Sequence, residues 1–460
     1  MFDHPRLLRL RNELRTLLAL ATPIIIAQLS YTAIGFVDTV MSGRFSAQAL
    51  AAVALGNSIW VPLFLLMTGI LLATTAKVAQ HFGAAQQQAI GPLVRQALWL
   101  ALAVGCLTAT ALWHAEIVLR LMKVEDDLIE PTMGYLQGVA VGFPCVALYH
   151  VLRCYSDGLG RTRPSMVIGL LGLLLNIPLN YVMIYGKFGF PAMGATGCGW
   201  ATGLGMLAML IGMYTWIRRS PSYAQTTPLG RFEAPRWASI RQLLGIGLPI
   251  GISVFAEVSI FSVIALLIGG LGALVVAGHQ IALNFASLVF MIPYSIGMAA
   301  TVRVGQNLGR GAPRDARFAA GVSMATALAY ACLSASLMLL FREPIATIYT
   351  AEPEIIALAA SLIGYAALFQ FSDAIQVTAA GALRGYQDTR ATMLMTLLAY
   401  WGIGLPVGYV LGLSDLIGPA SGPAGLWEGL IVGLTCAAVM LTLRLKNSAR
   451  RRIRLATTNA

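Results

Sequence analysis

VSIFSVIALLIGGLGALVVAGHQIALNFASLVFMIPYSIGMAATV, residues 258–302, contains no Asp, Glu, Lys or Arg. A helix crossing the ~30 Å hydrocarbon core of a bilayer needs about 20 mostly apolar residues. This run has 45, too many for one crossing. Gly269-Gly270-Leu271-Gly272 offers a turn inside it. The stretch therefore reads as the end of one membrane helix and the whole of the next.

The surrounding composition agrees. Only 11% of the 460 residues are charged and 58% are apolar, with a mean hydropathy of +0.75. An ordinary soluble domain carries about 25% charged residues. So few charges cannot cover a soluble surface, and the same figures exclude a disordered chain or a disulfide scaffold. Twelve spans are predicted, near 16–41, 47–76, 93–115, 132–154, 164–186, 192–217, 242–268, 273–302, 317–341, 355–383, 391–413 and 423–443. The first of them is a full span flanked by Arg6, Arg9, Arg11 and Arg15, which reads as a membrane helix and not as a cleavable signal. The fold class is thus an all-α membrane protein.

The net charge of +12 raises the question of a nucleic-acid partner. Position answers it. Assigned to alternate sides of twelve spans, 26 Lys and Arg fall with the termini and 5 on the opposite side. That asymmetry is the positive-inside signature and predicts cytoplasmic termini. The basic residues are scattered over short loops, so no nucleic-acid interface is expected.

The two halves repeat. LLALATP at 17–23 matches LLGIGLP at 243–249, an offset of 226; KVAQHFG at 77–83 matches RVGQNLG at 303–309 at the same offset. Pro178 and Tyr181 match Pro406 and Tyr409 at 228. Six spans per half is an even number, so the repeat is parallel: two six-helix lobes related by a pseudo-twofold axis along the membrane normal. The expected division is 1–220 for the first lobe, 221–241 for a cytoplasmic linker and 242–460 for the second lobe with its basic tail. Such two-lobed bodies carry substrate between or within their halves.

Charged groups at membrane depth are costly and mark functional positions. Glu257 lies about 24 Å along its span and Asp373 about 16 Å, whereas Asp38 falls near the outer end of the first span. The basic residues crowd the ends of the spans, leaving these acids without a deep cationic partner. A carboxylate so placed can hold a proton, Na⁺ or a cationic substrate in competition, which is the physical basis of antiport. The repeat duplicates none of them: Asp38 aligns with Ile264, Glu257 with Tyr31 and Asp373 with Val146. Asn176 and Asn180, four residues apart on one helix face, lie at a depth comparable with Asp38. Phe261, Phe285 and Phe369 sit on the spans near Glu257 and Asp373 and are candidates to line a cavity for flat cations. Glu428 is expected at the outer interface.

No GxxxxGK[ST] or HExxH motif occurs, and the six cysteines form no CxxC. No nucleotide, cofactor, resident metal or enzymatic role is predicted, and the cysteines read as small membrane-core residues.

Several segments resemble the multidrug and toxic compound extrusion (MATE) family, and within it the NorM-like bacterial members. They are ATPIIIAQLSYTAIGFVDTVMS at 21–42, ALAAVALGNSIW at 49–60, KVAQHFG at 77–83, PIGISVFAEVSIF at 249–261, AGHQIALN at 277–284 and FQFSDAIQVTAAGALRG at 369–385. The resemblance implies a two-lobed inner-membrane antiporter, monomeric, exporting cationic or amphipathic drugs in exchange for H⁺ or Na⁺. It implies that Glu257 and Asp373 bind the coupling cation, including Na⁺. It matches Asp38 to a first-lobe acid, with Asn176, Asn180 and Thr202 as its polar neighbours. Asn180 stands where some archaeal-type members have a second acid. Phe369 stands where some Na⁺-coupled members have a tyrosine, which favours H⁺. The alternative is a flippase for lipids or lipid-linked precursors, but phosphate-bearing cargo calls for deep cations where this sequence has acids. A drug transporter of the major facilitator type is disfavoured by KVAQHFG between spans 2 and 3.

Overall fold

The computed structural model describes residues 4–416 and 418–458. Among them no β-strand forms. Twelve helices are long and apolar enough to cross a membrane. They are α1 (His4–Phe45), α2 (Ala47–Gly83), α3 (Gln87–Trp113), α4 (Asp126–Gly158), α5 (Arg163–Tyr185) and α6 (Ala195–Arg219), then α7 (Trp237–Gly269), α8 (Ala273–Gly309), α9 (Pro313–Leu340), α10 (Pro353–Gly385), α11 (Thr389–Leu413) and α12 (Pro423–Thr458). In hydrocarbon the backbone must satisfy its own hydrogen bonds, which leaves helices as the only option for such apolar segments outside a closed barrel.

Each predicted span falls on one helix. The helices outrun the apolar stretches because polar residues continue them beyond bilayer thickness. α8 runs through Arg303 and Asn307 to Gly309, and α12 carries the basic tail to Thr458. Between α7 and α8 the turn falls at the glycines, with Gly272 at a φ of +106°, a conformation open to glycine and strained for other residues.

Contacts gather the chain into two units, Pro23–Gly251 and Met1–Thr22 with Ile252–Ala460. The first unit packs α4 against α2, α3 and α6, with α5 on α6; the second packs α10 against α8, α9 and α12, with α11 on α12. These are corresponding helices of the repeat. The units depart from a division at 220 and 242 in two places: the start of α1 joins the second unit, and residues 221–251 join the first. The first turns of α1 are fastened to α8, where Arg303 grips both oxygens of Glu13 at 2.9 and 2.6 Å. Residues 221–236 are strapped to α3. There Arg95 donates to Glu233 at 2.7 Å, Gln96 bonds Ala234 and Arg236 backbone, and Trp99 donates to the Glu233 carbonyl. The linker is a docked segment, not a free tether.

The α11–α12 contact depends on glycine. A Cβ placed on Gly429 would lie 2.2 Å from the Gly408 Cα, so Gly429 has no room for a side chain. Small residues that let helix backbones touch replace the missing hydrophobic drive between helices in lipid.

Candidate functional site

Asp38, on α1, is enclosed with only 3% exposure. Asn176 and Asn180 from α5 donate to its Oδ1 at 3.0 and 2.6 Å, and Thr202 from α6 lies 3.2 Å from Oδ2. The Asn180 amide also donates to Asn176 Oδ1 at 3.1 Å. All four residues named from the sequence thus form one cluster. The i, i+4 spacing puts both asparagines on one turn-to-turn face, and their amides supply what an ionised carboxylate needs when water is excluded.

A neighbouring trio escaped the sequence reading. Tyr135 and Trp60 both donate to Asn57 Oδ1 at 2.8 Å, and Tyr135 lies within electrostatic reach of Asp38. Asn57 and Trp60 stand in the ALAAVALGNSIW segment, which carried the only available signal.

The second cluster lies where α7, α10 and α11 face one another. Gln376 donates to Glu257 Oε1 at 3.1 Å, and Asp373 lies one turn earlier on the same helix as Gln376, within electrostatic reach of Glu257. Asp373 is 2% exposed, while Glu257 keeps partial access. Tyr400 is buried within electrostatic reach of both acids, and among the described residues its hydroxyl has no hydrogen-bond partner. Gln370, one turn before Asp373, is fully buried, and among the described residues neither of its amide atoms has a partner. Tyr400 sits in a π-helical segment, Leu398–Gly404. Such wide turns frequently mark functional positions. The adjacent Trp401 donates to the carbonyl of Ala256, beside Glu257, fixing α11 against α7 at this level.

One expectation is corrected. Glu257 does have a cation within electrostatic reach: Arg384, buried at 6% exposure near the end of α10. The first unit also buries a charge pair, Arg153 and Asp157, 3.5 Å apart on α4. Arg153 donates to Gln28 on α1, and Asp157 accepts from Ser165 on α5. A count by loop assigned these cations to the membrane surface, but the lobe encloses them.

The candidate aromatics meet as packing partners. Phe369 is 5% exposed in an apolar cluster, its ring 6.1 Å from both Phe261 and Trp427. Phe261 and Phe285 flank the same cluster, half-buried. The burial of Phe369 reads as packing and not as a cavity wall. Tyr365 approaches Glu428 at 3.4 Å. Of the cysteines, Cys154 and Cys198 are buried as expected of small core residues, whereas Cys106 and Cys332 are exposed on the helix surface.

The MatE family model matches residues 23–182 and again 249–410. The two matches start 226 residues apart and end 228 apart, the same drift that the sequence repeat shows. The chain is 67% identical over 448 residues to multidrug resistance protein PmpM of Pseudomonas aeruginosa, covering 97% of this chain and 94% of that protein. It is 48% identical to multidrug resistance protein MdtK of Yersinia enterocolitica, covering 94% and 95%. Its fold resembles the crystal structure of the eukaryotic MATE transporter AtDTX14 (TM-score 0.87, 20% identity, 97% and 100% covered). An outward-facing multidrug resistance MATE transporter of the MOP superfamily gives a TM-score of 0.86 at 19% identity, with 96% of each chain covered. The chain belongs to the MatE family.

Proposed function

We propose that this protein is a multidrug efflux antiporter of the bacterial inner membrane, with both termini cytoplasmic, exporting organic cations in exchange for H⁺. The observation that carries the reading is the approach of two carboxyls, Glu257 and Asp373, within electrostatic reach of each other beside Gln376, which donates to Glu257. Two carboxylates on facing helices attract a cation, and two acids held together cannot both stay ionised cheaply without one. Partial access marks Glu257 as the acid that meets the incoming ligand, with Asp373 enclosed behind it.

In the proposed cycle the ionised pair holds a cationic drug. Protonation from the outside neutralises the pair, weakens its hold on the drug and releases it. Drug binding on the inner side favours proton loss by the same coupling free energy, since linkage is reciprocal. The driving force suffices in scale, at about 2.3 kcal/mol per charge per 100 mV and about 1.4 kcal/mol per pH unit. Na⁺ would compete for the same oxygens. Na⁺ takes hard oxygen ligands, and Phe369, turned into the apolar cluster, offers none beside Asp373. That supports H⁺.

The names of the relatives support drug cargo over a lipid precursor. The test is ethidium accumulation in proteoliposomes driven by an imposed pH gradient, with and without Na⁺. The wild type is expected to accumulate substrate with or without Na⁺, and Glu257→Gln/Asp373→Asn to lose the gradient-driven component. Undiminished pH-driven transport by the double variant would sink the proposal.

A further inference from the structure

A groove of about 660 Å³ lies where the start of α1, the start of α9 and the tail of α12 converge. Arg9 and Ile453 both line it, so the two ends of the chain meet at one membrane face. Its rim is cationic: Arg9, Arg314 and Arg317. Arg9 is engaged by Asp315 at 2.5 Å and stacks over the Phe318 ring, 4.4 Å from its centroid. Among the described residues neither Arg314 nor Arg317 forms an ion pair. From this rim an apolar strip follows one face of α9 into the span, through Phe318, Gly321 and Ala325. Gly321 has nothing within 4 Å of where a Cβ would sit, so the strip is hollowed along its middle.

We propose that this groove binds an anionic glycerophospholipid, its phosphate between Arg314 and Arg317 and one acyl chain lying along Phe318, Gly321 and Ala325. The ligand is selected by two features together. Basic pockets at the ends of membrane helices suit anionic headgroups, and the apolar strip runs on from the cations in the direction a lipid tail must take.

The corresponding place in the repeat supplies a contrast. There a groove of about 430 Å³ on α3 is lined by Arg95, Arg231 and Glu233. Glu233 takes Arg95 at 2.7 Å and the Thr227 carbonyl takes it at 3.0 Å. An acid supplied by the linker takes up Arg95 and leaves Arg231 alone on that rim, whereas the α9 rim keeps two cations for an outside ligand.

Native mass spectrometry of the full-length protein in detergent tests the proposal, with phosphatidylglycerol, phosphatidylcholine of the same acyl chains and inorganic phosphate as probes. Phosphatidylglycerol is expected to bind preferentially over phosphatidylcholine, and millimolar phosphate is not expected to displace it. Arg314→Ala/Arg317→Ala should bind phosphatidylglycerol roughly thirtyfold more weakly, about fivefold for each surface arginine. Gly321→Leu, which fills the strip and leaves the cations intact, should also weaken it. Asp315→Asn frees Arg9 and should tighten binding, an outcome that misfolding cannot produce. Equal retention of the two lipids, displacement by phosphate, or unchanged phosphatidylglycerol binding in the double alanine variant would overturn it.

Discussion

The two lobes descend from one repeat, yet they hold their acids in opposite ways. In the first unit Asp38 accepts from two asparagines and faces a threonine hydroxyl. At the offset of 228, Asn176, Asn180 and Thr202 correspond to Gly404, Gly408 and Leu430, and at 226 Asp38 corresponds to Ile264. Those positions in the second unit are glycine contacts and apolar core. The second unit instead places its acids at Glu257 and Asp373, where the first has Tyr31 and Val146. Even the bridge is replaced: Gln376 donates to Glu257, while its counterpart Tyr149 bonds Tyr31 hydroxyl to hydroxyl. One helical frame thus carries a single carboxyl with three hydrogen-bonding neighbours in one lobe and two carboxyls close together in the other. In the proposed reading the first is held as a fixed charge and the second exchanges ligands.

The contrast breaks most sharply at the glycines. Gly429→Ala would drive a Cβ to 2.2 Å from the Gly408 Cα, against backbone that cannot rotate away. Overpacking costs about 1–3 kcal/mol and occasionally more, and this contact belongs at or above the upper end. The expected result is a fall in thermal midpoint of the detergent-solubilised protein well beyond that of Gly245→Ala, where the Cβ meets nothing within 4 Å. Equal midpoints would mean that the second lobe does not depend on this close approach.

Asn180→Leu tests the other side. It removes the 2.6 Å donor and leaves Asp38 partly unsolvated in an enclosed site. A hydrogen bond to a charged group contributes about 1.5–3 kcal/mol, so a loss of about 2 kcal/mol is expected. Asp38→Asn/Asn180→Leu should recover part of it, because the uncompensated charge is gone. If the double variant is no more stable than the single one, Asp38 is not held as a charge, and the proposed division of roles between the lobes falls.

How much of this was visible beforehand depends on whether a residue carries its meaning alone or through a partner. Charge is rare enough in membrane spans that Asp38, Glu257 and Asp373 stood out singly, and the i, i+4 asparagines pointed at a shared face. The spans and their repeat were legible for the same reason, since apolar length and Lys/Arg placement are properties of the chain in order. Gln376, Gln370 and Tyr400 are ordinary polar residues in apolar helices. Only packing shows that they converge on two acids, and nothing in LAYWGIG announces a π-helical turn. Arg153 and Arg384 were read as surface cations because their distance from the span ends is short. Burial depends on neighbouring helices that a single span cannot reveal. Phe369 failed in the other direction: an aromatic near an acid along the chain turned its ring into the core.

The smallest effect sits in the turns that join the fourth helix of each lobe to the fifth. The offset of 227 sets Arg161 opposite Asp388. Arg161 donates to the Ser222 carbonyl and stacks on Tyr223, tying its turn to the linker. Asp388 instead takes Arg444 at 2.6 and 3.1 Å and Ser448 at 2.7 Å, tying its turn to the tail of α12. Burial raises the Asp388 carboxyl, but the bonds from Arg444 and Ser448 outweigh it and hold the group below its ordinary value of 3.8. A carboxylate held low in the folded state stabilises the protein above that ordinary value, and the contribution is lost as pH falls through the folded one. Arg444 is 41% exposed, so solvent screening limits the gain to under about 1 kcal/mol. Asp388→Asn should therefore melt slightly below the wild type at pH 7, with the difference shrinking in 1 M salt and vanishing once the pH has fallen through the lowered value of the folded carboxyl. The matching change Arg161→Gln removes a cation that has no carboxylate partner in its turn, so its effect should show no such acid dependence. An equal acid dependence in both variants would show that the two turns are fastened by the same kind of force, against the difference the geometry sets between them.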